Sequence, residues 1–429
     1  MKILVLGSGA REHAIILSLL SEDADHEVLA APGNAGIAQV AETVDLDPND
    51  PVAVANFAIA EAIALVVIGP EAPLVAGVAD ELREQGIPVF GPGRAAAELE
   101  GSKTFAKRVM DVAGVPTGRA RRAGTLSEAE TAIDLFGAPY VVKADGLAAG
   151  KGVLVTNDRE AAVEHARTYL DFGSVLVEEF LDGQEVSLFF VSDGHTVVPL
   201  SPAQDYKRLA DGDEGPNTGG MGAYSPLPWL EGTFGSEEDF VAEVLETIAN
   251  PVVAQLAEEQ TPFIGLLYAG LILTSRREND DDRGIRVIEF NARFGDPETQ
   301  VVLPRLTTPL SELLYAAATG TLSADDRPTF APASAVTVVL ASENYPAAPV
   351  TGRPIRGLAE ADAVAGVHLA HAATAAQGND LVSTGGRVLS VVALGDDFTE
   401  ARSRAYEALG HISLEGAQFR TDIAARVAQ

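Results

Sequence analysis

Cysteine is absent from the 429-residue chain. This excludes disulfides, thiolate nucleophiles and cysteine metal sites, so any bound metal must have oxygen or imidazole ligands. Long apolar runs are also lacking: no stretch approaches the ~20 residues that cross a bilayer, and the apolar run after Lys2 soon enters a glycine turn. The sequence therefore predicts a cytoplasmic protein that is neither secreted nor bound to a membrane.

Positive charge is scarce. Lysine and arginine total 30 against 62 aspartate and glutamate residues, which gives a formal net charge of -32. A surface of this sign repels nucleic acid, so we expect no nucleic-acid partner. A dense carboxylate surface also suggests the hypothesis of halophilic adaptation, which loss of structure on dialysis to low salt would support.

The few lysines are grouped in an informative way. Five of the six lie in or beside glycine-rich or polar loops, which makes them candidate ligands for phosphate. The six are Lys2, Lys103, Lys107, Lys143, Lys151 and Lys207.

The chain length predicts several domains, at roughly 100 to 200 residues per domain. Residues 1–102 alternate β-branched runs with helical stretches, which is typical of a parallel α/β domain. Residues 103–329 are predicted to hold a small α+β unit, at about 118–185, inserted into a larger one, followed by a long loop at 201–228. Residues 330–429 are predicted to form a separate α+β domain.

The predicted strands of the first domain end in glycine or proline loops. In a parallel sheet such loops converge on one crevice at the carboxyl ends of the strands. The first loop contains Gly7, Gly9 and then Glu12 in place of the third glycine of a dinucleotide motif, so a dinucleotide oxidoreductase is disfavoured. Two interpretations stay open: a phosphate bound at the helix N-terminus near Arg11, or a plain tight turn.

The strongest local signal is a strand–loop–strand pattern at 141–153. Lys143 ends the first strand, and Lys151 precedes the second. Such a loop can close backbone N–H groups and two ammonium charges over a polyphosphate, although a mobile hairpin is the alternative. It is not a P-loop, because glycine and a strand follow Lys151. The loop glycines are Gly146, Gly150 and Gly152.

A second signal is the pair Glu289 and Asn291. Two residues apart on a strand, they point to the same face and can offer oxygen ligands to Mg²⁺, whose other ligands would be nucleotide phosphates. A solvent-facing acid and amide on an edge strand are the alternative. Arg293 and Asp296 follow in a loop that would face the same site, where they could hold a carboxylate and an amine.

A third signal is the polar, glycine-rich segment at 205–224. A loop of this length and composition is more often functional than idle, with a disordered linker as the alternative. Its candidate ligands are Asp205, Lys207, Arg208 and Asn217.

Taken together, these features resemble the ATP-grasp ligases. The two lysines around a glycine loop, the acidic stretch at 178–181 and the Glu-x-Asn pair carry the resemblance. Longer stretches are similar to the phosphoribosylamine-glycine ligase family, and the similarity covers the whole chain. These stretches are 69–74, 101–103, 143–152, 215–224, 293–298 and 385–388.

The resemblance implies a multi-domain α/β fold: a parallel α/β N-terminal domain, ATP-grasp central domains with an α+β lid, and a small α+β C-terminal domain. It implies a ligase of purine synthesis that joins glycine to 5-phosphoribosylamine through glycyl phosphate, with ATP as a substrate and Mg²⁺ or Mn²⁺ as cofactor. The substrates themselves supply the nucleophiles, which agrees with the absence of cysteine. A monomer or weak dimer is expected.

The resemblance also implies roles for individual residues. For ATP binding these are Lys103, Lys143, Gly146, Gly150, Lys151, Gly152, Glu178, Glu179, Phe180, Leu181 and Glu185. For the metal they are Glu289 and Asn291, and for catalysis Lys143, Arg293 and Asp296. For the other substrates they are Gly9, Arg11, Asn34, Glu71, Asp205, Lys207, Arg208, Asn217, Arg293, Asp296 and Glu298.

The sequence departs from the family pattern at two positions, and two other functions stay open. Tyr206 stands where the family often has histidine, and Gln184 replaces a common acid. Another ATP-grasp ligase of purine synthesis would keep the nucleotide site, although the motif at 293–298 favours glycine. A non-catalytic ATP-binding regulator is a further alternative, against which Lys143 and Glu289 argue.

Overall fold

The protein is described by a computed structural model over residues 1–146, 152–275, 282–325 and 327–428. The predictions for Gly150 and Lys151 lie outside the described residues. The described chain forms a parallel α/β N-terminal domain, a central antiparallel sheet carrying an α+β lid, and a C-terminal α+β domain, which confirms the predicted fold class.

The N-terminal domain is built on a five-stranded parallel sheet. Apart from the exposed edge strand Glu42–Thr43, its strands are largely buried on both faces, as their nearly continuous apolar sequences require. In spatial order the strands are Glu42–Thr43, Glu27–Pro32, Lys2–Gly7, Leu65–Ile68 and Val89–Phe90. The helices around them are Ala10–Leu20, Pro51–Ala60, Glu71–Ala76, Val78–Glu84 and Arg94–Gly101, with a 3₁₀ turn at Ile37–Gln39.

The lid is a small unit with its own apolar core. Two helices, capped at their N-termini by Thr125 and Asp158, cover one face of a four-stranded antiparallel sheet. The strands, in spatial order, are Ala120–Ala123, Val175–Glu178, Tyr140–Ala144 and Val153–Thr156. The helices are Leu126–Phe136 and Arg159–Leu170.

The central sheet carries the lid at one end. Its four antiparallel strands are Val197–Pro199, Gly183–Asp193, Ile264–Thr274 and Ile285–Asn291. Helix Lys103–Val112 precedes the lid, and the helical segments after the last strand are Thr299–Val302, Leu303–Arg305 and Leu310–Thr319. The bridge between Thr117 and Val287 fixes the start of the lid beside the strand that ends at Asn291.

A long helix lies beside this sheet. The 22-residue segment Glu237–Glu258 is apolar enough, by length and composition, to cross a membrane. Residues of this helix that pack in the core include Phe240, Val244, Ile248, Val252 and Leu256. Pro251, which has no N–H to donate, follows the π-helical turn Leu245–Ala249 inside it.

The sheet of the C-terminal domain includes two strands from the segment at 201–228, which was expected to be a long loop. Gln204–Asp205 and Gly222–Ser225 form one side of a five-stranded sheet that continues with Ser334–Ala341, Arg387–Gly395 and Val367–His371. Pairing with strands more than 100 residues away orders a segment that has no strand signal of its own.

The remaining elements complete this domain and its junction with the central one. A second, three-stranded sheet contains Pro354–Ile355, Asp380–Ser383 and Thr374–Gln377. The helices of the C-terminal domain are Leu358–Asp362 and Phe398–His411. A separate hairpin joins Arg208–Ala210 to Glu214–Asn217 around the turn Asp211–Asp213. Short helical turns lie at Pro228–Leu230 and Glu231–Phe234.

Candidate active site

Two of the predicted phosphate lysines meet where the lid joins the central sheet. Lys143, near the end of a lid strand, lies with its Nζ 2.9 Å from Glu178 Oε2 and donates to the Ile288 carbonyl at 3.1 Å. Lys103, the first residue of helix Lys103–Val112, donates to the Gly146 carbonyl at 3.1 Å. Burial lowers the pKa of Lys103, and the nearby carboxylate of Glu289 opposes that effect.

Asp145 anchors the start of the lid loop, a role that the sequence patterns did not reveal. Its carboxylate accepts hydrogen bonds from the Thr104 hydroxyl at 2.6 Å, the Ser174 hydroxyl at 3.0 Å and the Ser102 hydroxyl at 3.1 Å. Burial alone would raise the pKa of Asp145, but these hydrogen bonds outweigh it and lower the pKa. The lid loop is thereby tied to the first turn of the helix that carries Lys103.

The Glu-x-Asn pair lies on one face of strand Ile285–Asn291. Glu289 and Asn291 are partly exposed, whereas Phe290 between them is buried. Burial would raise the pKa of Glu289, but Lys207, Lys143 and Lys103 together lower it, so the carboxylate stays ionised.

An ionised carboxylate and an amide on one face provide hard oxygen ligands, which fit Mg²⁺ or Mn²⁺. Within the described ranges, no group of three or more His, Cys, Asp or Glu side chains could hold a metal by itself. Two protein oxygens therefore suit an ion that takes its remaining ligands from phosphates and water.

Lys207 links this pair to a residue predicted to bind ribose. Its Nζ lies 2.7 Å from Glu185 Oε2 and 3.8 Å from Glu289 Oε1. Burial would lower the pKa of Lys207, but Glu185 and Glu289 raise it well above its ordinary value. Lys207 is therefore a cation between the predicted ribose and metal positions.

A cluster of buried polar side chains, with Glu298 and Asp205 as its acids, lies close to Glu289 and Lys207. Glu298 is only 2% exposed, and its Oε1 accepts hydrogen bonds from the Tyr268 hydroxyl at 2.7 Å and the Ser187 hydroxyl at 2.9 Å. Asp205 Oδ1 is buried, and no described residue hydrogen-bonds it. Burial, then the charge of Glu298, raises the pKa of Asp205 well above its ordinary value. Tyr268 and Ser187 carried no sequence signal.

Arg293 sits between two carboxylates. Its Nε lies 3.5 Å from Glu71 Oε2, and its Nη2 lies 3.1 Å from Glu100 Oε1. Glu100 also accepts a hydrogen bond from the Ala292 backbone at 2.7 Å, and burial raises its pKa. Glu71 was predicted from the family resemblance, whereas Glu100 lies in a helix without a site motif.

Asp296 is held by an arginine of the C-terminal domain. Arg387 Nη2 lies 3.1 Å from Asp296 Oδ2, and Nη1 donates to the Asp296 carbonyl at 2.7 Å and to the Gly219 carbonyl. Gln300 donates to the other carboxylate oxygen at 2.7 Å. Arg387 thus joins the 205–224 segment to the loop after the metal pair; its only sequence signal was the family-like stretch at 385–388.

The predicted polar residues of the N-terminal loops bind mainly the protein itself. Asn34 Nδ2 donates to the carbonyls of Ser8 and His371, both at 2.8 Å, and its Oδ1 accepts from the backbone of Gly36 and Ile37. The side-chain hydrogen-bonding capacity of Asn34 is therefore used within the fold.

The first loop is held in a similar way. Glu12 Oε2 accepts the Gly9 N–H at 2.6 Å, and its other oxygen pairs with Arg11. Arg11 also donates to the Phe294 carbonyl at 3.1 Å. A cleft of about 420 Å³ opens beside these loops, lined by Ser8, Gly9, Gly33, Asn34, Asp296, Ala372, Ala373, Thr374, Thr384 and Arg387.

The hinge and the hairpin complete the predicted set. Glu179 binds the backbone N–H of Arg119 at 2.8 Å, and the adjacent Phe180 is 40% exposed. Leu181 follows directly in the hinge. Arg208, paired with Asn217 in the hairpin, donates to the Gly215 carbonyl. Among the described residues, no hydrogen bond or ion pair joins Arg208 or Asn217 to Lys103, Lys143 or Glu289.

Tyr206, the departure from the family pattern, faces the C-terminal segment. Its hydroxyl accepts the Ala424 N–H at 3.0 Å, and the Arg420 guanidinium lies over its ring at 4.7 Å. Its contacts therefore stabilise the fold around the 205–224 segment.

A parallel α/β domain, a separate lid and lysines facing a Glu-x-Asn pair define the protein as an ATP-grasp ligase. Three family models match in sequence order: the phosphoribosylglycinamide synthetase N domain at residues 1–100, its ATP-grasp (A) domain at 101–299 and its C domain at 335–426. The chain belongs to the phosphoribosylglycinamide synthetase family, as the motifs predicted.

Relatives match along the whole chain. A phosphoribosylamine–glycine ligase of Leifsonia xyli subsp. xyli is 71% identical over 429 residues, which cover 99% of this chain and 100% of the relative. The enzyme of the same name from Streptomyces coelicolor is 58% identical, with 100% of both chains covered. The crystal structure of phosphoribosylamine–glycine ligase from Thermotoga maritima matches with a TM-score of 0.82 and 32% identity, covering 98% of this chain and 100% of that one.

Proposed function

We propose that this protein joins glycine to 5-phosphoribosylamine in purine biosynthesis, using ATP and giving glycinamide ribonucleotide, ADP and phosphate through glycyl phosphate. The observation that carries the proposal is the convergence of three lysines on the ionised Glu289. Relatives that carry the name of this activity match the chain over its full length, which supports the choice of substrates.

The nucleotide is assigned to the base of the lid. Lys103 and Lys143 would hold its phosphates, with the glycine loop closing over them. The hinge at 178–181 would receive adenine beside the partly exposed Phe180, and Glu185 would bind ribose.

Glu289 and Asn291 would hold Mg²⁺ or Mn²⁺. The bound ion would neutralise charge on the nucleotide phosphates. Attack of a carboxylate on the γ-phosphate brings two anions together, so Lys103 and Lys143 would contribute by stabilising the same developing charge.

The amino-acid substrate is assigned to the loop after the metal pair. Arg293 and Asp296 would position glycine and its acyl phosphate, with Asp205, Lys207 and Glu298 beside them. Because an acyl phosphate hydrolyses readily, the lid at about 118–185 would exclude water while the amine attacks.

The phosphoribosylamine is assigned to the cleft beside the N-terminal loops. Gly9 and Asn34 line this cleft. Burial would raise the pKa of Glu71, but Arg293 and also Arg11, two residues after Gly9, lie close enough for their charges to lower it. Because the Asn34 side chain is engaged within the fold, recognition there would use loop backbone groups together with the charged side chains. Arg208 and Asn217, predicted to bind substrate, would contribute by holding the hairpin that joins Arg208–Ala210 to Glu214–Asn217.

We also propose domain limits, a cellular location and an oligomeric state. We place the domain limits at 1–102, 103–329 and 330–429, and we expect a cytoplasmic enzyme that is a monomer or weak dimer. Halophilic adaptation stays a prediction, tested by measuring structure and activity as a function of salt.

The test is phosphate release from ATP with Mg²⁺, glycine and phosphoribosylamine generated in situ, with each component omitted in turn. Release that requires both acceptor substrates, with glycinamide ribonucleotide detected by mass, is the expected result. ATP turnover that ignores glycine would overturn the substrate assignment and favour another carboxylate–amine ligase. ATP binding without turnover under every condition would favour a non-catalytic regulator.

A further inference from the structure

Lys107 is a largely buried lysine at the base of the lid, with 14% of its side chain exposed, and the reaction outlined above gives it no role. Its Nζ donates to the Thr117 hydroxyl and to the Gly118 carbonyl, both at 2.9 Å, and lies 3.5 Å from Glu178 Oε1. An ammonium group has three N–H donors, and these three contacts account for them. Lys107 therefore differs from Lys103, one helical turn away, because it has no donor left for a phosphate.

Glu178 is the carboxylate that Lys107 shares with a predicted phosphate ligand. It is only 6% exposed, and its other oxygen lies 2.9 Å from Lys143. If Lys143 turns to the ATP phosphates, Glu178 loses its closer counter-charge. A buried carboxylate without a partner is strongly unfavourable, so that movement would oppose nucleotide binding unless another cation stays in place.

Lys107 is held where it can serve as that cation. Thr117 and Gly118 fix its Nζ, and the Thr117 hydroxyl in turn donates to the Val287 carbonyl at 2.6 Å. These residues and Glu178 belong to the two chain segments that connect the lid to the central sheet. Lys107 thus contacts both connections of the lid.

We infer that Lys107 is a positioning residue, which keeps Glu178 ion-paired while Lys143 exchanges that carboxylate for the phosphates of ATP. The inference rests on the proposed role of Lys143 in ATP binding. It divides the work of the two lysines on helix Lys103–Val112: Lys103 contacts the nucleotide, whereas Lys107 compensates the charge that nucleotide binding would leave unpaired.

The test is a double-mutant cycle on the affinity for a non-hydrolysable ATP analogue, measured by calorimetry with Mg²⁺. Lys107→Met should weaken binding about tenfold, since an unpaired buried carboxylate disfavours the bound state. In the Glu178→Gln background, where no negative charge remains, the same substitution should weaken binding by less than about twofold. Lys107→Arg, which keeps the charge, should restore most of the affinity.

An equal loss in both backgrounds would overturn the inference, because it would show that Lys107 acts only through its hydrogen bonds to Thr117 and Gly118. Lys107→Gln serves as the second neutral variant should the methionine variant fail to fold, since glutamine can still hydrogen-bond that loop. Analogue binding is measured without glycine or amine, so failure here is distinct from failure of the proposed reaction, which shows as phosphate release that ignores glycine.

Discussion

The residues at the base of the lid, here called the lid side, and the loops of the N-terminal domain, here called the N-terminal side, use polar side chains in opposite ways. On the lid side, Lys143 pairs with Glu178, and Lys207 pairs with Glu185 and Glu289, so charged side chains face one another there. On the N-terminal side, Asn34 and Glu12 are hydrogen-bonded to neighbouring backbone and leave little side-chain capacity for a ligand.

The difference follows from what each side must bind. Polyphosphate and a divalent ion require charged side chains, whose residue types are visible in the sequence. A sugar phosphate can be held by backbone N–H groups at the ends of parallel strands, and there the side chains serve to fix the loops. Substitutions on the lid side should therefore alter turnover, and substitutions on the N-terminal side should alter stability.

The largest expected effect is that of Glu289→Ala. Loss of the metal carboxylate should reduce turnover about 1,000-fold, since a bound ion contributes several kcal/mol of charge stabilisation. Steady-state kinetics over a range of Mg²⁺ and Mn²⁺ concentrations would measure it, with circular dichroism to confirm the fold. Glu164→Ala, at an exposed lid glutamate, is the control and should leave turnover unchanged. Near-normal activity of Glu289→Ala would refute the metal assignment.

Arg387→Met should have the next largest effect. It removes the guanidinium that pairs with Asp296 and holds the Gly219 carbonyl, so kcat/KM for glycine should fall about 100-fold. Arg387→Lys keeps the charge but not the forked geometry and should give an intermediate loss. Arg353→Met, which breaks an ion pair with Glu343 elsewhere in the same domain, is the matched control. If kcat/KM for glycine fell equally for Arg387→Met and this control, the proposed role of Arg387 in the site would be wrong.

Asn34→Ala tests the N-terminal side. It leaves two carbonyls and two backbone N–H groups without their partner, so the free energy of unfolding should fall by about 2 kcal/mol. Denaturant unfolding followed by circular dichroism would measure this. Asn34→Asp keeps the acceptor and should lose less. Unchanged stability with a large rise in the KM for the amine would instead make Asn34 a direct substrate ligand.

Local sequence patterns predicted much of the fold. The strands Leu65–Ile68 and Val153–Thr156 and the helix Arg159–Leu170 can be assigned from the sequence alone, because turn and capping residues bound a clear apolar pattern in each. Helix Pro51–Ala60 was missed, since it has no polar stripe to reveal its period. The strands of the 205–224 segment were missed because only their distant partners make them strands.

The site shows the same limit. Lys143 and Glu289 could be proposed from sequence because a charged residue at the end of a strand carries its own signal. Glu100, Asp145 and Tyr268 could not, because their importance comes from partners brought close by packing. The role of Asn34 within its loop likewise depends on carbonyls that only the folded chain presents.

The smallest expected effect comes from His13, on the N-terminal side. Its Nδ1 accepts the backbone N–H of His371 at 2.9 Å, which joins the first helix to the C-terminal domain. Burial, then the neighbouring His371, lowers the pKa of His13 from 6.5 to about 3. Below pH 6.5 the unfolded chain therefore binds a proton that the folded protein excludes, so stability falls as the pH falls.

The magnitude is set by the two pKa values. Between pH 7.5 and 5.5 the contribution of His13 to the free energy of unfolding should drop by about 1.4 kcal/mol. The lower pH lies one unit below the unfolded pKa of 6.5, and each such unit costs about 1.4 kcal/mol while the folded histidine stays neutral. His13→Gln keeps an acceptor but does not titrate, so its stability should decline less over this range by that amount. Denaturant titrations of both proteins at the two pH values would measure the difference. If the stabilities of both proteins declined equally with pH, the hydrogen bond between His13 and His371 would open before global unfolding. The N-terminal side would then be less rigidly held than its hydrogen bonds indicate.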